Sequence, residues 1–88
     1  MQFEWDPNKA ALNEQWHGVS FDEACAAFED DHAVVLVDEA HSASEQRFNL
    51  IGAAGQRLMF VVYTERKNGT VIRLISARGR HTKVWIAR

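Results

Sequence analysis

Asn68-Gly69 divides two stretches of alternating polarity, Arg57 to Lys67 and Thr70 to Arg78, and nothing else in the chain limits its fold as strongly. Both residues accept the positive φ of a tight two-residue β-turn, so the flanking stretches read as the arms of a hairpin. Such a loop pairs residues whose numbers sum to 137, setting Arg66 against Val71 and Thr64 against Arg73. Opposite residues project to one side, which makes Arg66 and Arg73 diagonal neighbours on one face. Simple alternation puts Tyr63, Glu65, Ile72, Leu74, Ser76 and Arg78 on the other face. Arg78 joins Arg73 only if a bulge or the strand end turns it.

The rest of the chain supplies two helices and further strands. Gln2 to Trp5 alternates as a short first strand. Asp6-Pro7 provides an N-cap and an N1 proline for a helix ending near Trp16 or His17, before Gly18 at C′. Ser20-Phe21-Asp22-Glu23 is a capping box for a second helix, with Phe21, Ala24, Cys25 and Phe28 as its apolar stripe. Ala33 to Val37 and Gln46 to Ile51 read as strands, the second followed by a turn at Gly52-Ala53-Ala54-Gly55. The tail from Arg80 to Arg88 reads as a short helix, a strand or a frayed end. The expected fold is α+β in the order β-α-α-β-β-β-β: a small antiparallel meander after two N-terminal helices, which pack on one face.

With 88 residues, the chain is expected to form one domain over 1–88 with a modest core. Its charges are sharply divided. Residues 1–46 hold Lys9 against eleven Asp and Glu, and residues 47–88 hold nine Lys and Arg against Glu65. The acidic half is expected to be the helical layer and the basic half a sheet that attracts polyanions. A single cysteine, Cys25, fits a reducing compartment and packs within the apolar stripe. No apolar run is long enough to span a bilayer, so a soluble cytoplasmic protein is expected.

Two guanidiniums sharing one face either hold a phosphate through bidentate hydrogen bonds or, as hairpin-end arginines, simply keep an edge soluble, and the sequence alone favours the second. On the first helix, Lys9, Asn13 and His17 share a polar face, beside a Leu12–Trp16 ridge expected to pack on the sheet. His17, at the C-terminus, is an acid–base candidate or a solvated cap. Asp31-His32 and Asp38-Glu39-Ala40-His41 match no defined metal spacing, and loop solvation explains them. The tryptophans read as core residues. The chain contains no phosphate-binding glycine loop and no nucleophile elbow.

Several motifs together resemble the BrnT toxin family. They are Phe3-Glu4-Trp5-Asp6-Pro7, Lys9-Ala10, Asn13, His17-Gly18-Val19-Ser20-Phe21 and Glu23-Ala24. Asp38, His41-Ser42, Glu45, Arg47 and Ile51-Gly52 follow, then Val61 to Arg66, Ile72-Arg73 and Ile75-Ser76-Ala77-Arg78. The resemblance implies a RelE-like ribonuclease fold that uses no metal or other cofactor. It implies a growth-arresting toxin of a type II toxin–antitoxin pair that cleaves RNA. The implied partner is a BrnA-like antitoxin with a ribbon-helix-helix end, through which alone the toxin meets operator DNA. No membrane is involved.

Attack of an RNA 2′-hydroxyl on the adjacent phosphorus needs a base, an acid and cations on the phosphorane-like oxygens. By resemblance Arg66, Arg73 and Arg78 fall on the family's late arginines and His17 on its His-Gly-Val-Ser motif. The chemistry then makes the arginines the expected cations and His17 or Glu65 the candidate for proton transfer. Lys9, Arg47 and Lys83 are expected as further RNA contacts. Trp16 stands where the family has a lysine, and the tail is shorter than the family's basic C-terminal helix. These two departures leave a second expectation open, a non-catalytic module that keeps the antitoxin surface and takes part in operon autoregulation.

Overall fold

The computed structural model describes residues 1–81, with His81 contributing backbone alone. Strand β1 spans Gln2–Glu4. The Asp6 carboxylate then accepts from the Asn8 amide at 2.8 Å, and Pro7 fills the first helical position, where a missing N–H costs nothing. Helix α1 runs Pro7–His17 and ends at Gly18, whose φ of 66° lets its N–H reach the Glu14 carbonyl. The Ser20–Glu23 capping box starts α2, Phe21–Cys25. Helix α2 then tightens into a 3-10 turn over Ala26–Glu29.

Four strands follow: β2 (Val34–Asp38), β3 (Arg47–Ala54), β4 (Arg57–Arg66) and β5 (Val71–His81). A 3-10 turn at Glu39–His41 leaves β2. The five-stranded sheet has the order β1-β5-β4-β3-β2. It is mixed, which corrects the expected all-antiparallel sheet. Chain-terminal β1 lies parallel to β5 through Gln2↔Val71, Phe3↔Ile72 and Glu4↔Arg73. Only β2 to β5 form an antiparallel meander.

Pairing near the second hairpin keeps the expected register, with Arg66 opposite Val71 and Thr64 opposite Arg73. The loop is wider than Asn68-Gly69 alone. Lys67, Asn68 and Gly69 all take positive φ, and Gly69 N–H and Thr70 N–H bond back to the Arg66 and Lys67 carbonyls. The preceding turn is narrower than expected, because β3 continues through Ala54 and leaves Gly55-Gln56 to close the hairpin.

A register shift between Val62 and Tyr63 makes Ile75 an extra residue in β5. Tyr63 pairs with Leu74, but Val62 pairs with Ser76 and Phe60 with Arg78. The bulge therefore reverses the alternation and puts Arg78 on the same side as Arg73.

The helical segments cover one face of the sheet. Val19, Phe21, Ala24 and Ala27 pack against Leu50, Met59, Val61, Tyr63, Ile72, Leu74 and Ala77. Phe28 meets Phe3 and Tyr63 edge-on, at centroid distances of 5.1 and 5.0 Å. At Gly52 the 3-10 turn comes so close that a Cβ would fall 2.8 Å from the Ala27 carbonyl oxygen.

Beyond Arg73 no strand of the described residues covers the outer edge of β5, and its buried backbone groups need other partners. Asn13 supplies them. Its carboxamide donates to the Ala77 carbonyl at 2.8 Å and to the Val19 carbonyl at 3.1 Å, and it accepts from the Ala77 N–H at 3.0 Å. The side chain thus acts as one residue of a missing strand. It also sets the rotation of α1: Asn13 is buried while Leu12 and Trp16 are exposed, the reverse of the expected arrangement. Asn13→Ala should cost roughly 2–4 kcal/mol, because it leaves buried backbone groups without partners. A urea midpoint shifted by less than about 0.5 kcal/mol equivalent would refute that role. The Thr64 hydroxyl is fully buried without a hydrogen-bond partner. Thr64→Val should therefore raise stability by about 1 kcal/mol in the same measurement.

Candidate functional site

The sheet face away from the helices carries a row of polar side chains set by register. Glu4, Arg73, Thr64, Arg47 and Asp38 sit opposite one another across β1, β5, β4, β3 and β2. Arg73 donates to Glu4 Oε2 at 2.8 Å, and Arg66 Nε lies 3.9 Å from the same oxygen. Arg66 also donates to Glu45 at 3.4 Å. Arg66 and Arg73 do converge as expected, but they are not the uncompensated pair that the sequence suggested. Glu4 reaches them because β1 docks beside β5, and the loop before β3 delivers Glu45. At the far end of the row Asp38 holds His41 Nδ1 at 3.0 Å, and the Ser42 hydroxyl donates to the Asp38 carbonyl while accepting from the Arg47 N–H.

A second cluster forms where β5 runs past β1. Trp16, His17, Phe60, Arg78, Gly79 and Arg80 line an open cleft of about 570 Å³. Trp16 and His17 also wall a smaller groove, of about 310 Å³, with Lys9, Leu12, Asn13, Ile75 and Ser76. Arg78 and Phe60 in turn border a third, of about 210 Å³, that runs over the open sheet face to Asn49 and Leu36. Among the described residues no carboxylate lies within 4.0 Å of the Arg78 guanidinium. This cleft joins an imidazole to a guanidinium that no described carboxylate neutralises, a pairing that can move a proton and hold a phosphate together.

The expected site residues are thus divided. His17 lies with Arg78 in the cleft. Arg73 stands four β4 positions from the level of Arg78, roughly 13 Å along the strand, and Arg66 stands six, roughly 20 Å. Glu65 is exposed on the helix-side face, opposite Ile72, and meets neither group. Lys9 opens into the smaller groove, and Arg47 sits in the polar row. Lys83 and the tail from 82 onward lie outside the described residues. Burial, with the Asp22 carboxylate adding to it, pushes the Cys25 thiol above its ordinary value, the opposite of nucleophile activation. Sequence reasoning missed Glu4, Glu45, Trp16 and Phe60. Glu4 and Glu45 stood within the motifs of the resemblance and Trp16 at a departure from it, but none was read as a site residue, and for Phe60 only the alternation of β4 gave a hint.

Among the described residues no helix is long and apolar enough to cross a membrane. No curated protein matches the chain. A family model described as the ribonuclease toxin, BrnT, of type II toxin–antitoxin systems matches residues 5–83. That span includes both α1 and the whole of β5, so the cleft and the arginine row fall within it. The chain belongs to the BrnT family of ribonuclease toxins of type II toxin–antitoxin systems.

Proposed function

We propose that this chain is a one-domain, RelE-like, metal-independent RNA endonuclease of the cytoplasm. In this proposal it arrests growth by cutting mRNA and is neutralised by a BrnA-like ribbon-helix-helix antitoxin. The complex represses its own operon, and the antitoxin alone contacts operator DNA. One observation carries the cleavage chemistry: His17 and Arg78, which meets no carboxylate among the described residues, line the same cleft. Family membership supports RNA as the substrate.

In the proposed reaction His17 takes the proton from a 2′-hydroxyl as it attacks the neighbouring phosphorus. The P–O5′ bond breaks, leaving a 2′,3′-cyclic phosphate, and the departing 5′-oxygen takes a proton from water to end as a 5′-hydroxyl. Arg78 stabilises the charge that gathers on the non-bridging oxygens. The 2′-hydroxyl is the nucleophile, so DNA is not cut. Arg66 and Arg73, tied by Glu4, serve as a pre-ordered rail for a flanking phosphate, with Arg47 beside them. Holding both arginines in ion pairs lowers the entropy lost when RNA arrives but weakens their net attraction for it. The carboxylate compensation of Arg66 and Arg73 is also what favours the second reading, a non-catalytic module that retains the antitoxin surface.

Cleavage of a single-stranded oligoribonucleotide separates the two. Arg78→Ala should lower kcat/KM by about 10²–10³-fold and His17→Ala by about 10²–10⁴-fold. Arg66→Ala should cost far less in rate and flatten the salt dependence of binding by about one phosphate contact or less. Full activity in Arg78→Ala and His17→Ala would remove the cleft from the chemistry. An inactive, non-toxic wild type that still binds its antitoxin would establish the module.

A further inference from the structure

We infer that Trp16 is a stacking platform for one unpaired nucleobase, which makes this toxin selective for single-stranded RNA. The inference rests on the reading of the chain as an RNA-cleaving toxin and adds a subsite to it. Trp16 is 71% exposed, although it lies on a helix whose neighbouring residues help to close the core. No other aromatic ring of the described residues packs against it. The apolar ring is held in water by the Asn13 contacts that fix the rotation of α1, and no described aromatic ring covers it.

Its position supplies the chemistry. Trp16 and His17 form the partition between two grooves, one opening to Lys9 and the other to Arg78. A polyanion crossing from one groove to the other passes the indole with a cation on each side. That alternation of aromatic face and backbone-binding cation is how proteins hold unpaired nucleic acid strands. Phe60, on the far wall of the larger cleft, bounds the space that the base enters. A duplex keeps its bases stacked on one another and presents no face to the indole. Arg78, one cleft wall away, would then act on the phosphate next to the stacked base.

The test uses a short fluorescein-labelled, 2′-O-methylated oligoribonucleotide, which cannot be cut, and follows anisotropy over a salt series. Trp16→Ala should weaken binding about tenfold and leave the slope of log Kd against log salt unchanged. Trp16→Phe should keep most of the affinity. A matched strand of abasic ribose-phosphates should bind wild type and Trp16→Ala equally. Unchanged affinity in Trp16→Ala would overturn the stacking role and leave Trp16 to a protein contact. An equal loss on the abasic strand would also overturn it. Cleavage of unmodified RNA is followed in parallel. A wild type that cuts RNA while Trp16→Ala binds normally defeats the stacking subsite alone, and a wild type that neither binds nor cuts defeats the nuclease reading with it.

Discussion

The open edge of β5 must be closed, and a single carboxamide closes it. Strand β1 covers only Val71, Ile72 and Arg73, and from there the buried backbone of β5 depends on Asn13. Two hydrogen bonds to Ala77 and one to Val19 lock the rotation of α1 and tie it to the loop that follows. Everything on the exposed side of α1 inherits its direction from that lock. Had the Leu12–Trp16 side faced the sheet, His17 and Trp16 would not line the cleft beside Arg78.

A second local irregularity completes the arrangement. The extra residue at Ile75 turns the last half of β5 over, so Arg78 projects with Arg73 rather than into the helical layer. Without it Arg78 would meet the core positions of Met59 and Val61. The bulge and the Asn13 bridge lie two residues apart on one strand. Together they bring a helix terminus and a strand cation to one opening.

Much of the fold was legible in the sequence. The caps at Asp6-Pro7 and Ser20–Glu23, the Gly18 stop and the hairpin register all depend on interactions within a few residues. What stayed hidden was non-local. Glu4 reaches Arg73 only because the first strand docks beside the last, so the carboxylates that neutralise the arginine pair left no local sign. The charge split suggested an acidic helical layer and a basic sheet. Instead the acidic half contributes two strands, and Glu4 and Glu45 cancel much of the sheet's field where it was expected to be strongest. Asn13 read as a solvent-facing polar residue, because i, i+4 spacing identifies a face but not the direction in which it points. The bulge at Ile75 carries no glycine to announce it.

Among the described residues the opposite edge of the sheet has no comparable closure. In β2 the residues Val34, Val35, Leu36 and Val37 are each about half exposed, at 46–53%, with neither face polar. Uncovered β-branched edges of this kind template chain-to-chain accretion. Acidic residues stand at both ends, Asp30 and Asp31 before the strand and Asp38 and Glu39 after it. An incoming copy running antiparallel would bring carboxylates against carboxylates, so the same residues that make this half of the chain acidic act as gatekeepers against fibrillar growth.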